Sequence, residues 1–288
     1  MSDTAVLLLS CPGVLARKGV VAAISNFIIA HNGSILHSDD HQDQPSDLFL
    51  SRLEWDLTGF SLSLDDFQQH FQPVADRFQI QYRLALGSKR PRVGILVSSY
   101  DHCLSDLLYR HHTGELACDI PLIIANHEKA KRLADFHSIP FHYVATPKDA
   151  PRSESENRIL ALLDAHQVDL VVLARYMQIL TSSIVEKYPW RIINIHHSFL
   201  PAFVGAKPYH QAFDRGVKLI GATSHYVTAG LDEGPIIEQD VARVSHRDRV
   251  EDLIQKGRDL EKLVLSRAVR WHIENRILLY ANKTVVFL

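Results

Sequence analysis

From Val93 onward, short apolar segments of the buried-strand kind keep returning, separated by stretches long enough for a helix, and this alternation leaves few folds open. Val93-Gly-Ile-Leu-Val-Ser98, Pro121–Ala125, Asp169-Leu-Val-Val-Leu-Ala174 and Arg191-Ile-Ile-Asn-Ile-His196 are the strand-like segments, with helices read over Glu128–His137 and Thr181–Tyr188. A strand that is apolar on both sides must be covered on both faces. Helices between consecutive strands provide that cover only when the strands run parallel. The expectation is therefore an α/β fold with a doubly wound, mostly parallel, Rossmann-like sheet. The alternation starts only after Gly87-Ser-Lys-Arg-Pro91, a short polar segment of helix breakers that reads as a linker over residues 87–91.

Ahead of that linker the pattern changes. Ala5-Val-Leu-Leu-Leu9 is a short buried-type strand closed by Cys11-Pro-Gly13, and Lys18–Ala30 carries Val20, Val21, Ile24, Phe27 and Ile28 at helical spacing up to the stop at Asn32-Gly33. Two strands follow, Ser34–Gln42 and Leu48–Leu57, the second with Phe49, Ser51, Leu53 and Trp55 on one face; then come a helix over Ser63–Phe78 and a strand over Gln79–Leu86. The order β-α-β-β-α-β is the ferredoxin-like split pattern. Two domains are expected, 1–86 and 92–288, and at 288 residues with 46% apolar content the chain can fill two cores. Near the end, Arg249–Leu279 reads as one helix with Val250, Leu253, Ile254, Gly257, Leu260, Val264, Ala268 and Trp271 along a packing stripe, and Thr284–Leu288 as a last strand.

Charge and composition narrow the function. The formal net charge is −2 and neither sign is blocked along the chain, so no nucleic-acid footprint and no membrane-binding basic face is expected. The apolar runs are too short to span a bilayer. Met1–Val6 shows no export signal, and Cys11, Cys103 and Cys118, odd in number and without paired metal-ligand spacing, suit reduced thiols in a cytoplasm. A small neutral or mildly anionic ligand fits this chain best.

Chemistry concentrates where the Arg191–His196 segment meets His197-Ser-Phe-Leu-Pro201, because ligands in open α/β sheets lie beyond the carboxyl ends of the strands. Alternation sends Asn194 and His196 to one face and Ile193, Ile195 and His197 to the other. The bland alternative is a buried strand whose Asn and His satisfy loop backbone. Downstream, Leu231-Asp-Glu-Gly-Pro235 reads on its own as a surface turn, but Ile236-Ile237 resumes a strand and brings Asp232 beside the adjacent strand ends. Adjacent His196 and His197 suggest zinc, yet neighbours on a strand face opposite ways, and no metal is expected. The first βα turn, Ser98-Ser-Tyr-Asp-His-Cys-Leu-Ser105, lacks the glycines of a phosphate cradle. Tyr100, Asp101 and His102 either line the water side of the cleft or, for the latter two, cap and open the next helix.

Asn194-Ile-His196, Ser198-Phe-Leu-Pro201 and Leu231-Asp-Glu-Gly-Pro235 together resemble the formyltransferase family that uses 10-formyltetrahydrofolate, and Leu173-Ala-Arg-Tyr-Met-Gln-Ile-Leu180 resembles its folate-pocket segment. The resemblance implies catalytic roles for Asn194, His196 and Asp232, and folate contacts at Met177, Gln178, Leu180, Tyr226, Val227, Thr228 and Leu231. His197 stands where transferases commonly carry Pro, which matches the deformylase branch. That branch implies hydrolysis of 10-formyltetrahydrofolate to tetrahydrofolate and formate, with formate supplied to purine synthesis and no cofactor beyond the substrate. The first domain resembles ACT domains, although its loop, Cys11-Pro-Gly-Val-Leu-Ala-Arg-Lys-Gly19, is longer than their Cys-Pro-Asp-x-x-Gly pattern and lacks the Asp. This implies a homo-oligomer, dimer or tetramer, and an amino-acid effector. Two alternatives stay open: formyl transfer to another acceptor, and an amino-acid-sensing protein without catalysis.

Overall fold

The computed structural model describes residues 3–16, 18–146, 152–202 and 208–288. The described residues divide into two compact units, the first running to Lys89 and taking in Glu274–Leu288, the second being Arg90–Ile273.

The first unit contains β1 (Thr4–Pro12), α1 (Gly13–Ala16), α2 (Val20–Ala30), β2 (Ser34–Asp43), β3 (Leu48–Asp56), α3 (Leu64–Phe78) and β4 (Gln81–Leu86). Its sheet is antiparallel in the order β2-β3-β1-β4, the arrangement expected of β-α-β-β-α-β. Ala5 faces Trp55 and Leu7 faces Leu53 across β1 and β3. This apolar face is covered by Val20, Ile24 and Ile28 of α2 and Phe67, Phe71 and Phe78 of α3. α2 ends where the sequence places a stop: Asn32 takes a left-handed φ of 62° and the Gly33 N–H donates to the Ile28 carbonyl at 2.9 Å. Ser63 caps α3, accepting from the Asp66 N–H at 3.1 Å.

The second unit runs β5 (Arg92–Val97), α4 (His102–His112), β6 (Asp119–Ala125), a 3-10 turn (Glu128–Ala130) continuing into α5 (Lys131–Phe136), then β7 (Phe141–Tyr143), α6 (Arg152–Ala165), β8 (Leu170–Ala174), α7 (Ser182–Lys187), β9 (Ile192–His196), α8 (Pro208–Asp214), β10 (Leu219–Tyr226), β11 (Ile236–Arg243) and α9 (Val250–Ile273). Its seven strands lie in the order β11-β10-β9-β8-β5-β6-β7. β9 through β7 are parallel, whereas β10 runs antiparallel to β9 and β11 antiparallel to β10. The expected mostly parallel sheet is present, with an antiparallel edge. Among the described residues, no helix is long and apolar enough to cross a membrane.

The last residues correct the expected domain boundary. The helical stripe read to Leu279 stops at Ile273, and Asn275 takes a left-handed φ of 53°. β12 (Ile277–Tyr280) and β13 (Lys283–Val286) then pair as a hairpin. This hairpin belongs to the first unit, not the second. The reason lies in β1, whose run from Ala5 to Leu9 is buried throughout. One face meets the helices; the other, Val6 and Leu8 with Leu50 of β3, is covered by Leu278, Tyr280, Val285 and Phe287. Arg52 anchors the hairpin's approach by donating Nε–H to the Asn275 carbonyl at 3.0 Å.

Candidate active site

Asn194 and His196 share a face of β9, as their spacing requires, and the antiparallel β10 sets His225 directly opposite Asn194 and Thr223 opposite His196. Four polar side chains are thereby placed on two adjacent strands. His225 is a site residue that the sequence does not announce. It sits in an alternating strand with no motif around it, and only the pairing register assigns it to Asn194.

Asp232 joins them by a route that differs from the expected one. Because β10 runs opposite to β9, the Val227 N–H donates to the Ile192 carbonyl at 2.9 Å, and the following loop starts beside the beginning of β9, not its carboxyl end. The loop then folds back. Tyr226 N–H donates to the Pro235 carbonyl at 3.0 Å, Asp232 takes a left-handed φ of 56°, and Gly234 passes so close to β10 that a Cβ there would lie 1.7 Å from the Tyr226 carbonyl oxygen. The carboxylate finally stands 3.2 Å from His196 Nδ1 and 3.5 Å from His225 Nε2. Hydrogen bonds from His196 and then His225 hold its carboxyl well below the usual carboxylate range, against the opposing effect of burial.

These contacts fix where protons sit. A carboxylate accepts, so His196 Nδ1 is the N–H nitrogen facing Asp232. His196 Nε2 is buried and has no partner among the described residues. In the neutral ring it is a free base; in the charged ring it is a free donor. His225 Nδ1 donates to the Tyr226 carbonyl at 2.9 Å, and its Nε2 lies 3.5 Å from the Asp232 carboxylate and 3.2 Å from Asn194 Nδ2. Of the two N–H groups of the Asn194 amide, one is turned toward His225 and the other remains for a ligand oxygen. The arrangement can take a proton from a nucleophile at His196, stabilise the resulting imidazolium with Asp232, and donate to a developing oxyanion from Asn194.

Ser198 has a structural task. Its hydroxyl donates to the Ala202 carbonyl at 2.7 Å, while Thr223 Oγ donates to the Ser198 carbonyl at 2.8 Å and accepts from the Leu200 N–H at 3.0 Å and from Gln239 at 2.9 Å. The loop after β9 is thus clamped to β10 and β11. Gln239 also donates to the Leu200 carbonyl, so the clamp spans three neighbouring strands.

The residues to which the resemblance assigns folate contacts occupy two loops. Met177, Gln178 and Leu180 follow β8; Met177 is half exposed, its N–H donating to Ser98 Oγ at 2.9 Å, and Leu180 packs against the same core as Val227. Tyr226, Val227, Thr228 and Leu231 follow β10. Tyr226 is buried, with its hydroxyl 2.7 Å from His272 Nδ1 and its main-chain N–H and carbonyl bonded to Pro235 and His225, whereas Leu231 is exposed. The two loops flank the strand that carries Asn194 and His196.

At the first βα turn the capping alternative holds only in part. Asp101 occupies the N-cap position of α4 without a side-chain cap bond, and its carboxylate lies 3.6 Å from Lys129. His102 stands on the first turn and points inward: its Nε2 is 2.7 Å from Glu261 Oε2. Glu261, at 1% exposure on α9, also accepts from the Tyr209 hydroxyl at 2.6 Å and lies 3.4 Å from Arg175 Nε. His102, Cys103 and Glu261 bring possible metal-ligand atoms within 4.8 Å of one another. Their chemistry suits a metal poorly. The Glu261 carboxylate is already shared among a histidine, a tyrosine and a guanidinium, and burial pushes the Cys103 thiol well up, away from the thiolate a metal needs. His197 stacks edge-on to Tyr209, with ring centroids 6.3 Å apart. Burial, then Arg175 and His196, push its pKa down to about 4, so it is neutral near pH 7.

A doubly wound domain with Asn, His and Asp converging on the β9–β10 face defines a protein of the formyl transferase class, and the family model described as Formyl transferase matches residues 91–269. The likeness extends over the whole chain. A formyltetrahydrofolate deformylase from Synechocystis sp. is 54% identical over 99% of this chain and 98% of its own length. The crystal structure of a formyltetrahydrofolate deformylase from Pseudomonas syringae pv. tomato superposes with a TM-score of 0.95 at 47% identity, covering 100% of this chain and 95% of that one. A glycinamide ribonucleotide transformylase from Symbiobacterium toebii matches less of the molecule: its TM-score is 0.65 at 31% identity, over 68% of this chain and 94% of that one. The chain belongs to the formyltetrahydrofolate deformylase family.

Proposed function

We propose that this protein hydrolyses 10-formyltetrahydrofolate to tetrahydrofolate and formate, with His196 as the group that moves protons. The observation that carries the reading is the His196–Asp232 pair, which commits Nδ1 and leaves a buried, unpartnered Nε2 on the same strand face as Asn194. Water attacks the formyl carbon while His196 Nε2 takes one of its protons. The Asn194 amide donates to the oxyanion, a contact worth roughly 3–4 kcal/mol in comparable sites. Asp232 orients the imidazole and stabilises its charge, with both carboxylate oxygens facing histidines, so it acts through His196 rather than on water itself. His196 then returns the proton to the folate nitrogen as the C–N bond breaks, and formic acid ionises. These groups supply polarisation and proton transfer, so the reaction requires no resident metal or cofactor.

The folate ring is held by the two loops flanking β9, through main chain near Leu180 and over Val227–Leu231 and through the apolar side chains of Met177 and Leu231. Gln178 and Thr228 add polar contacts. Formate released in this way feeds purine synthesis. The first unit, with its β-α-β-β-α-β order, serves as an ACT-like module for homo-oligomer assembly and amino-acid response. Three free, buried cysteines fit a cytoplasmic setting. The test is direct: purified protein is incubated with 10-formyltetrahydrofolate and no acceptor, and formate is measured. Formate appearing with equimolar tetrahydrofolate is expected; no formate above the uncatalysed rate rejects the reading.

A further inference from the structure

The topological switch point of the second unit lies at β5, because β6 and β7 follow on one side and β8 and β9 on the other. In such sheets the crevice beyond the strand ends at this point is where a ligand enters. Here several side chains of the chain itself gather. The Tyr100 ring, on the loop after β5, lies 5.4 Å from the Arg175 guanidinium carbon and 5.7 Å from that of Arg258. Behind it stand Glu261, Arg175 and His102, already joined by hydrogen bond and ion pair.

The crevice is next to the reacting groups. The Ser98 N–H donates to the Arg175 carbonyl at 3.3 Å, and Leu173 pairs with Asn194, so Arg175 and His196 each stand two residues beyond that pair. β5 and β9 are separated by two strand spacings, roughly 10 Å. A molecule seated in an open crevice would therefore present its nucleophile beside His196. Buried charge is costly compared with an apolar plug, yet Arg175 Nη1 has no acceptor among the described residues, and Nε faces the Glu261 carboxylate at 3.4 Å without a well-aligned hydrogen bond. Buried donors of this kind are met by water or by a small ligand oxygen.

We propose that Tyr100, backed by Arg175, His102 and Glu261, shuts the switch-point crevice to any acceptor larger than water and thereby makes hydrolysis, not transfer, the fate of the formyl group. The inference rests on the formate-releasing reading above. In hydrolysis a C–O bond to water forms, the C–N bond to folate breaks, one water proton goes to the folate nitrogen, and a second leaves as formic acid ionises. With a primary amine in the opened crevice, a new C–N bond forms instead, the same folate bond breaks, and one amine proton ends on the folate nitrogen. Neither course needs an oxidant or reductant. Tyr100 and its partners are specificity residues, since they touch the acceptor space and not the formyl group.

The partition of the formyl group is the readout. Wild type, Tyr100→Ala, Tyr100→Phe and Arg258→Ala are incubated with 10-formyltetrahydrofolate and excess glycinamide, and formate and N-formylglycinamide are quantified by mass spectrometry. Tyr100 and Arg258 are both exposed on one side, so these substitutions spare the core. Tyr100→Ala is expected to raise the ratio of formylated amine to formate at least about tenfold over wild type. Arg258→Ala raises it less, and Tyr100→Phe, which keeps the ring, leaves it at the wild-type value. An unchanged ratio in Tyr100→Ala, or a wild type that already formylates the amine as readily, overturns the proposal. Absence of formate from wild type without amine rejects the underlying hydrolase reading, and that control is scored separately.

Discussion

An imidazole serves a reacting carbonyl best when one nitrogen is committed and the other is free, and His196 meets that condition because Asp232 takes Nδ1. Asp232→Asn removes the charge that steadies the imidazolium and allows the amide to present N–H toward the ring. Formate release is expected to fall about a hundred- to ten-thousand-fold, with an unchanged circular dichroism spectrum; a near-wild-type rate contradicts the pairing. Acid also acts on this pair. The Asp232 carboxyl titrates below its ordinary range, so its contribution to stability is full above the ordinary carboxylate value and is lost as pH falls through its lowered value. His197 responds at higher pH. Its folded pKa of about 4 lies below the ordinary 6.5, so between those values the unfolded chain binds the extra proton and stability declines on acidification. From pH 7 to pH 5 that decline amounts to about 2 kcal/mol. His197→Phe, which cannot be protonated, is expected to lose about that much less than wild type in urea unfolding at the two pH values. Equal losses would show that His197 titrates normally.

At the scale of elements, α9 is the support on which the buried polar cluster stands. Gly257 lets the helix approach Tyr209 so closely that an added Cβ would lie 2.1 Å from the ring's Cζ and hydroxyl oxygen. Tyr209 is buried and its hydroxyl is bound to Glu261, so the ring has nowhere to move without breaking that bond. Gly257→Ala is expected to destabilise the second unit by about 1–3 kcal/mol, read as a lower urea midpoint; an unchanged midpoint would show that the helix shifts freely. The same helix marks the limit of what the sequence makes legible. Its apolar stripe is plain from spacing, but Glu261 reads as one more solvated charge, because nothing in a helical period says which partners face it. Asn194 and His196 were readable because strand alternation alone puts them together. His225, Thr223 and Gln239 were not, since their positions depend on β10 and β11 turning antiparallel. Asp232 was readable as a participant through its turn and the family resemblance, yet its path back over the sheet required Gly234 and the Tyr226–Pro235 bond.

For the whole molecule, the decisive segment is the terminal hairpin. The sequence shows a strand at Thr284–Leu288 but not its destination, which is set by an unmet need elsewhere: Val6, Leu8 and Leu50 present a second apolar face. A strand buried on both sides must find a second cover, and β12 and β13 supply it for the first unit. The natural cut through this chain is therefore not one place but two, after Lys89 and after Ile273. A fragment spanning residues 90–273 contains Asn194, His196, His225 and Asp232 with every strand of their sheet, whereas a fragment spanning 90–288 also carries Leu278, Tyr280, Val285 and Phe287 with nothing to cover. The first is expected to remain dispersed and to release formate, and the second to aggregate and to bind a dye specific for exposed apolar surface. Removing only 274–288 from the full chain should uncover Val6, Leu8 and Leu50 and produce the same dye response from the first unit. Light scattering and dye fluorescence on the three proteins provide the check. A well-dispersed 90–288 fragment with no dye response would show that the hairpin is indifferent to the first unit, and the account of β1 as a strand covered on both faces by design of its sequence would fail.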